Sequence, residues 1–96
     1  MIVEWTHPAL SDLIEAQAYI TRENPKAATE VAQRIWNASQ HLADNPEIGR
    51  PGLIERTREW TVGNTPYLIV YRIQNDKLEI LRVWHTRRNW RQQSTP

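Results

Sequence analysis

Residues 67–90 read Tyr67-Leu68-Ile69-Val70-Tyr71-Arg72-Ile73-Gln74-Asn75-Asp76-Lys77-Leu78-Glu79-Ile80-Leu81-Arg82-Val83-Trp84-His85-Thr86-Arg87-Arg88-Asn89-Trp90. Two runs of β-branched and aromatic residues flank a polar turn, the pattern of a β-hairpin folded at Asn75-Asp76. A two-residue loop sets Arg72 opposite Glu79, Val70 opposite Leu81 and Leu68 opposite Val83. On the other side Tyr71 meets Ile80, Ile69 meets Arg82 and Tyr67 meets Trp84. One face then carries Tyr67, Ile69, Tyr71, Ile73, Leu78, Ile80 and Trp84, enough bulk for a core. The other carries Leu68, Val70, Leu81 and Val83, framed by Arg72, Glu79 and His85. With no helix of its own, that second face is expected to be an apolar patch for a partner, unless a loop or the C-terminal residues cover it. Arg82, on the core side in this register, requires a carboxylate or a helix C-terminus, because an unpaired buried charge is costly.

Upstream, Arg56, Arg58, Trp60 and Val62 alternate with Thr57, Glu59 and Thr61, which reads as a half-exposed strand with Glu59 solvated. Residues 47–55, with Gly49, Pro51 and Gly52, read as a loop. Before it, Ala28, Val31, Ile35, Ala38 and Leu42 recur at helical spacing, with Asn24 as cap and Pro25 in the first turn. Leu10, Leu13, Gln17 and Ile20, with Ile14 alongside, mark an earlier helix that starts near Thr6-His7-Pro8 and reaches about Glu23. Ile2 to Trp5 is a short strand-like run. The order is β-α-α-β-β-β: an α+β domain with an αα-hairpin on one face of a mainly antiparallel four-stranded sheet.

Composition sets limits. The 96 residues make one domain, assigned to residues 1–91, with 92–96 as a disordered tail. The net charge of +1 excludes a uniformly basic nucleic-acid coat. Ten of the twelve basic residues are arginine, and eight of these lie at or beyond Arg50, so cationic, bidentate-capable groups gather in the C-terminal half. There is no cysteine, and the three histidines lack metal-ligand spacing, so no metal or cofactor is expected. Met1-Ile2-Val3-Glu4-Trp5 has neither a basic leader nor a long apolar run, and a cytoplasmic location without membrane contact is expected.

Three segments together, Trp5-Thr6-His7-Pro8-Ala9-Leu10, Asn45-Pro46-Glu47-Ile48-Gly49-Arg50-Pro51-Gly52 and the stretch from Tyr67 to Trp90, resemble the RelE/ParE toxins of type II toxin–antitoxin modules. The likeness spans Ile2 to Trp90 and looks closest to the ParE branch, the plasmid-stabilisation toxins. It implies growth arrest by inhibition of DNA gyrase and neutralisation by a cognate, ParD-like antitoxin. The RelE branch implies an alternative, ribosome-dependent cleavage of mRNA. A third possibility is a degenerate module member kept as an interaction protein.

RNA cleavage needs a base, an acid and cations for the phosphate. Nuclease relatives carry an arginine where this chain has Leu68, and some carry a glutamate near Arg50-Pro51-Gly52-Leu53, where this chain has none. His85 alone matches, on the same face as Leu68 in the expected register; in the enzymatic reading it works with arginines from Arg50 to Arg58. Binding is the favoured reading. Its expected target surface is Arg50, Arg56, Arg58, His85, Arg87, Arg88, Trp90 and Arg91, where arginine and tryptophan suit an interface. The expected antitoxin surface is the outside of the helical hairpin plus the Leu68, Val70, Leu81 and Val83 patch.

Overall fold

A computed structural model describes residues 1–87, in which two helices pack on a mixed sheet of five strands. The elements in chain order are β1 (Ile2–Trp5), α1 (His7–Thr21), α2 (Pro25–Asp44), β2 (Arg50–Pro51), β3 (Arg58–Thr61), β4 (Tyr67–Gln74) and β5 (Lys77–His85). The sheet order is β1-β5-β4-β3-β2, with β1 parallel to β5 and the other pairs antiparallel. The expected four strands gain a fifth, because Arg50 and Pro51 pair with Glu59 and Arg58 within what reads as a loop.

Local chemistry starts both helices. Thr6 caps α1, its hydroxyl accepting from the Ala9 amide at 3.3 Å. The same hydroxyl lies 2.9 Å from the Ile80 carbonyl, to which it donates, so the cap also ties the helix start to β5. Asn24 caps α2 by accepting from the Ala27 amide at 3.1 Å, and Pro25 follows in the first turn. The α2 seam lies as its spacing predicts, with Ala28, Ile35 and Leu42 buried and Val31 and Ala38 half-buried. On α1 the buried residues are the small Ala9 and Ala16, whereas Leu10 and Ile14 remain exposed. Small residues there let the helix approach the sheet closely, which turns the bulkier stripe partly outward.

The hairpin turns at Asn75-Asp76 with both residues in the left-handed region (φ 54° and 60°), the type I′ geometry that matches strand twist. From the turn to Tyr71–Ile80 the register is as expected. There it slips by one residue: Val70 pairs with Arg82, Ile69 with Val83, Leu68 with Trp84 and Tyr67 with His85, so Leu81 is the additional residue of a β-bulge. Because side chains alternate strictly, this slip exchanges faces. Val83 joins Tyr67, Ile69, Tyr71, Leu78 and Ile80 in the core beneath the helices. Trp84 goes instead to the opposite face, in a second cluster with Leu68 and Val70 against which Leu81 packs. Ile73 is exposed.

The expected apolar partner patch is therefore not an open surface. Leu68, Val70 and Trp84 are 2 %, 0 % and 4 % exposed, so the sheet is buried on both faces at this end. Val83 belongs to the other face altogether. Of the four residues, Leu81 alone is half-buried.

Asp12, in the second turn of α1, holds the shifted strand. Its carboxylate accepts from Arg82 Nε (2.8 Å) and Nη2 (2.9 Å) and from the Val83 amide (3.0 Å). Arg82 thus has the carboxylate partner its position demands, although it lies opposite Val70 rather than Ile69. That hydrogen bonding raises the Arg82 pKa above its ordinary value, and burial opposes the shift. Among the described residues no helix is long and apolar enough to cross a membrane.

Candidate functional site

The nuclease-like constellation does not assemble. Leu68 and His85 were expected on one face, but the bulge places His85 opposite Tyr67 on the helix side, away from Leu68. The two rings meet edge to face, with centroids 5.3 Å apart. His85 Nδ1 accepts from the Arg87 amide at 3.1 Å, which fixes the imidazole locally. Leu68 is sealed beside Trp84 and offers a phosphate neither charge nor access.

Glu59 departs from expectation as well. It is 5 % exposed rather than solvated. Its carboxylate accepts from the Leu53 amide (3.1 Å) and from Arg50 Nη2 (3.3 Å). The chain between Gly52 and Thr57 closes on itself through Gly52 N–H to the Thr57 carbonyl at 2.9 Å. A buried carboxylate that accepts two donors in this way is a clamp on the loop.

A second clamp holds the preceding residues. The Tyr71 hydroxyl donates to the Pro46 carbonyl (2.7 Å) and accepts from the Gly49 amide (3.0 Å). Burial pushes the Tyr71 phenol above its ordinary pKa, offset in part by the Gly49 bond and the charge of Arg58. A Cβ at Gly49 would lie 2.5 Å from that hydroxyl oxygen, so glycine here permits the close approach. Neither clamp is legible as such in the sequence. The only hints are a glycine before Arg50 and a tyrosine hydroxyl that needs a partner once its strand is central.

The arginines of the expected target surface separate into groups. Arg58 Nη1 donates to the Glu47 and Gly49 carbonyls at 3.0 and 2.8 Å, so this charge is placed by uncharged acceptors. Arg56 is exposed, sits at φ 66° and has no hydrogen bond or ion pair among the described residues. The two line one cleft with Pro51, Thr57, Arg72 and Ile73. Arg50 points to a neighbouring cleft shared with Ile48, Glu59, Trp60 and Thr61. Arg87 is exposed just beyond β5. Arg88, Trp90 and Arg91, and the expected tail at 92–96, lie outside the described residues. The sequence pattern marks Arg72 as a cross-strand partner of Glu79 and part of a charged rim; its place in the cleft depends on how β3 lies beside β4.

A family model described as the ParE toxin of the type II toxin–antitoxin system parDE matches residues 3–90. The chain is 46 % identical over 90 residues to the toxin-named protein Y4kP of Sinorhizobium fredii, covering 94 % of this chain and 93 % of that one. It is 37 % identical over 86 residues to Toxin RelE2 of Caulobacter vibrioides, covering 90 % and 96 %. A solved structure described as the chromosomal ParDE system from P. aeruginosa superposes with a TM-score of 0.81 at 25 % identity, over 88 % of this chain and 95 % of that one.

Proposed function

Because the chain belongs to the ParE toxin family of type II toxin–antitoxin systems, we propose that it arrests growth by binding and inhibiting DNA gyrase in the cytoplasm. In this reading a cognate, ParD-like antitoxin neutralises it, and plasmid stabilisation is the expected consequence when a plasmid encodes the pair. The observation that carries a binding rather than a cleaving action is the separation of His85 from Leu68 across the sheet. A general acid on one face cannot serve a phosphate held on the other, and Leu68 lacks the charge to hold one. The partner-facing candidates are Arg50, Arg56 and Arg58 at the β2–β3 edge, with Arg87 beyond β5 and with Arg88, Trp90 and Arg91.

The antitoxin surface moves entirely to the helical hairpin. Leu10 and Ile14, one turn apart on α1, are 42 % and 66 % exposed, and Trp36 on α2 is 48 % exposed. An amphipathic segment of the antitoxin covers such anchors by helix-in-groove recognition. Ile14→Asp, being on the surface, is expected to leave the fold intact and to weaken antitoxin binding about tenfold or more.

The deciding experiment gives purified protein both targets: gyrase in supercoiling and cleavage assays, and mRNA in translating ribosomes. Gyrase inhibition that survives His85→Ala is expected. Ribosome-dependent cuts that vanish with His85→Ala, with gyrase unaffected, would establish the endonuclease reading instead.

A further inference from the structure

At the turn end of the sheet, away from Leu68 and His85, β2, β3 and β4 bound an open cleft of about 360 Å³ lined by Pro51, Arg56, Thr57, Arg58, Arg72 and Ile73. Three of the six lining residues are arginines and none is a carboxylate. Each arginine retains donors. Arg72 reaches Glu79 through Nε alone (2.6 Å), and Arg58 is anchored through Nη1 alone. Arg56 makes no hydrogen bond or ion pair among the described residues. Its backbone is left-handed (φ 66°), uncommon for a residue with a long side chain, in the loop that closes between Gly52 and Thr57.

We propose that this cleft binds a phosphate group of a nucleic-acid strand. Guanidinium groups brought in from two segments of the chain, Arg56 and Arg58 from one and Arg72 from the other, match a tetrahedral anion, whose oxygens accept from several directions. A planar carboxylate is satisfied by one bidentate arginine. A strand with repeating phosphates fits better than a lone anion, because Arg50, with a side chain 59 % exposed, lies on the adjacent β2 and continues the cationic edge. The proposal rests on the reading of this edge as the surface turned toward the target, and it names the chemistry taken there.

The test measures anisotropy of a labelled single-stranded DNA of about 16 nucleotides, and of the same RNA sequence, with the purified full chain. Arg56→Glu is expected to weaken strand binding about tenfold, and loss of this one contact to lower the salt-dependence slope by about 1. Arg56→Gly, which suits the left-handed backbone, is expected to fold at least as well and to weaken binding in the same direction. Arg22→Glu, an equal charge change at the far end of α1, should alter binding by less than about twofold. Unchanged binding in both Arg56 variants overturns the proposal, as does an equal loss in Arg22→Glu. Polyglutamate bound with the same Arg56 dependence overturns phosphate recognition, and AMP competing as well as the strand overturns the strand in favour of a free nucleotide. Gyrase inhibition by the same variants reads the other premise. Inhibition lost with strand binding intact sinks the phosphate site alone, whereas strand binding lost with inhibition intact sinks the edge as target surface.

Discussion

The two halves of the β4–β5 hairpin are built on different authorities. Near the turn, Gln74–Lys77, Ile73–Leu78 and Arg72–Glu79 pair as the type I′ loop dictates; the Arg72–Glu79 ion pair there is local and partly exposed, and Lys77 makes an exposed pair with Glu4 of β1. Past Tyr71 the ladder has slipped by a residue, and its ion pair reaches from Arg82 across 70 residues to Asp12. A turn controls register over the few residues it touches. Farther away, burial and a helix decide. Placing Val83 rather than Arg82 beneath the helices puts an apolar side chain in the core, while the arginine still reaches the Asp12 carboxylate.

Asp12→Ala is expected to have the largest effect on that contrast. It leaves a partly buried guanidinium and the Val83 amide without their shared acceptor, so a loss of about 3 kcal/mol is expected in urea unfolding. Deletion of Leu81 comes next. Removing the bulge residue leaves every other pairing on its present face, so the chain should fold with a loss of about 2 kcal/mol from the missing side chain. An NMR contact between Ile69 and Val83 should persist; its replacement by Ile69 beside Arg82 would mean that the bulge, rather than the core, sets the distal register. Gly49→Ala tests the boundary between the halves, where Tyr71 is held. Its Cβ would crowd the Tyr71 ring and hydroxyl, and about 1–2 kcal/mol of stability should be lost. Arg72→Ala, in the half governed by the turn, should cost less than about 1 kcal/mol, since the arginine itself is largely exposed and its ion pair is screened.

A pH series gives the finest test of the boundary. The Tyr71 phenol titrates above its ordinary value of 10.0 because it is buried. The folded state therefore holds that proton more tightly than the unfolded chain. Its contribution to stability is complete below about pH 10 and is lost as the pH rises through the folded-state value. Tyr71→Phe should flatten this alkaline decline in urea midpoints while lowering stability at neutral pH through its two lost hydrogen bonds.

Much of the architecture is legible in local sequence because short-range physics sets it. Asn24-Pro25 and Thr6 start the helices, the spacing from Ala28 to Leu42 gives the buried seam, and Asn75-Asp76 closes the hairpin. The likeness to ParE toxins is carried by the same stretches and by Asn45 to Gly52. Site readings fared differently according to whether they depended on which face a residue occupies. The Leu68, Val70, Leu81 and Val83 patch and the Leu68–His85 pairing both assumed an uninterrupted ladder, and a single bulge dissolved both. Glu59 was read as solvated because alternation along a strand cannot reveal that a loop folds back over it.

What the order of residues settled is therefore the two helices, the strands other than β2, the turn and the half of the hairpin next to it, since caps, periodicity and turn residues act within a few positions. The slip at Leu81, the burial of the second face, the clamps at Tyr71 and Glu59 and the convergence of Arg56, Arg58 and Arg72 were settled by the packed molecule. Each joins groups on different elements or loops, and each arises because a buried strand must satisfy volume, charge and hydrogen bonding together. No local pattern encodes that sum.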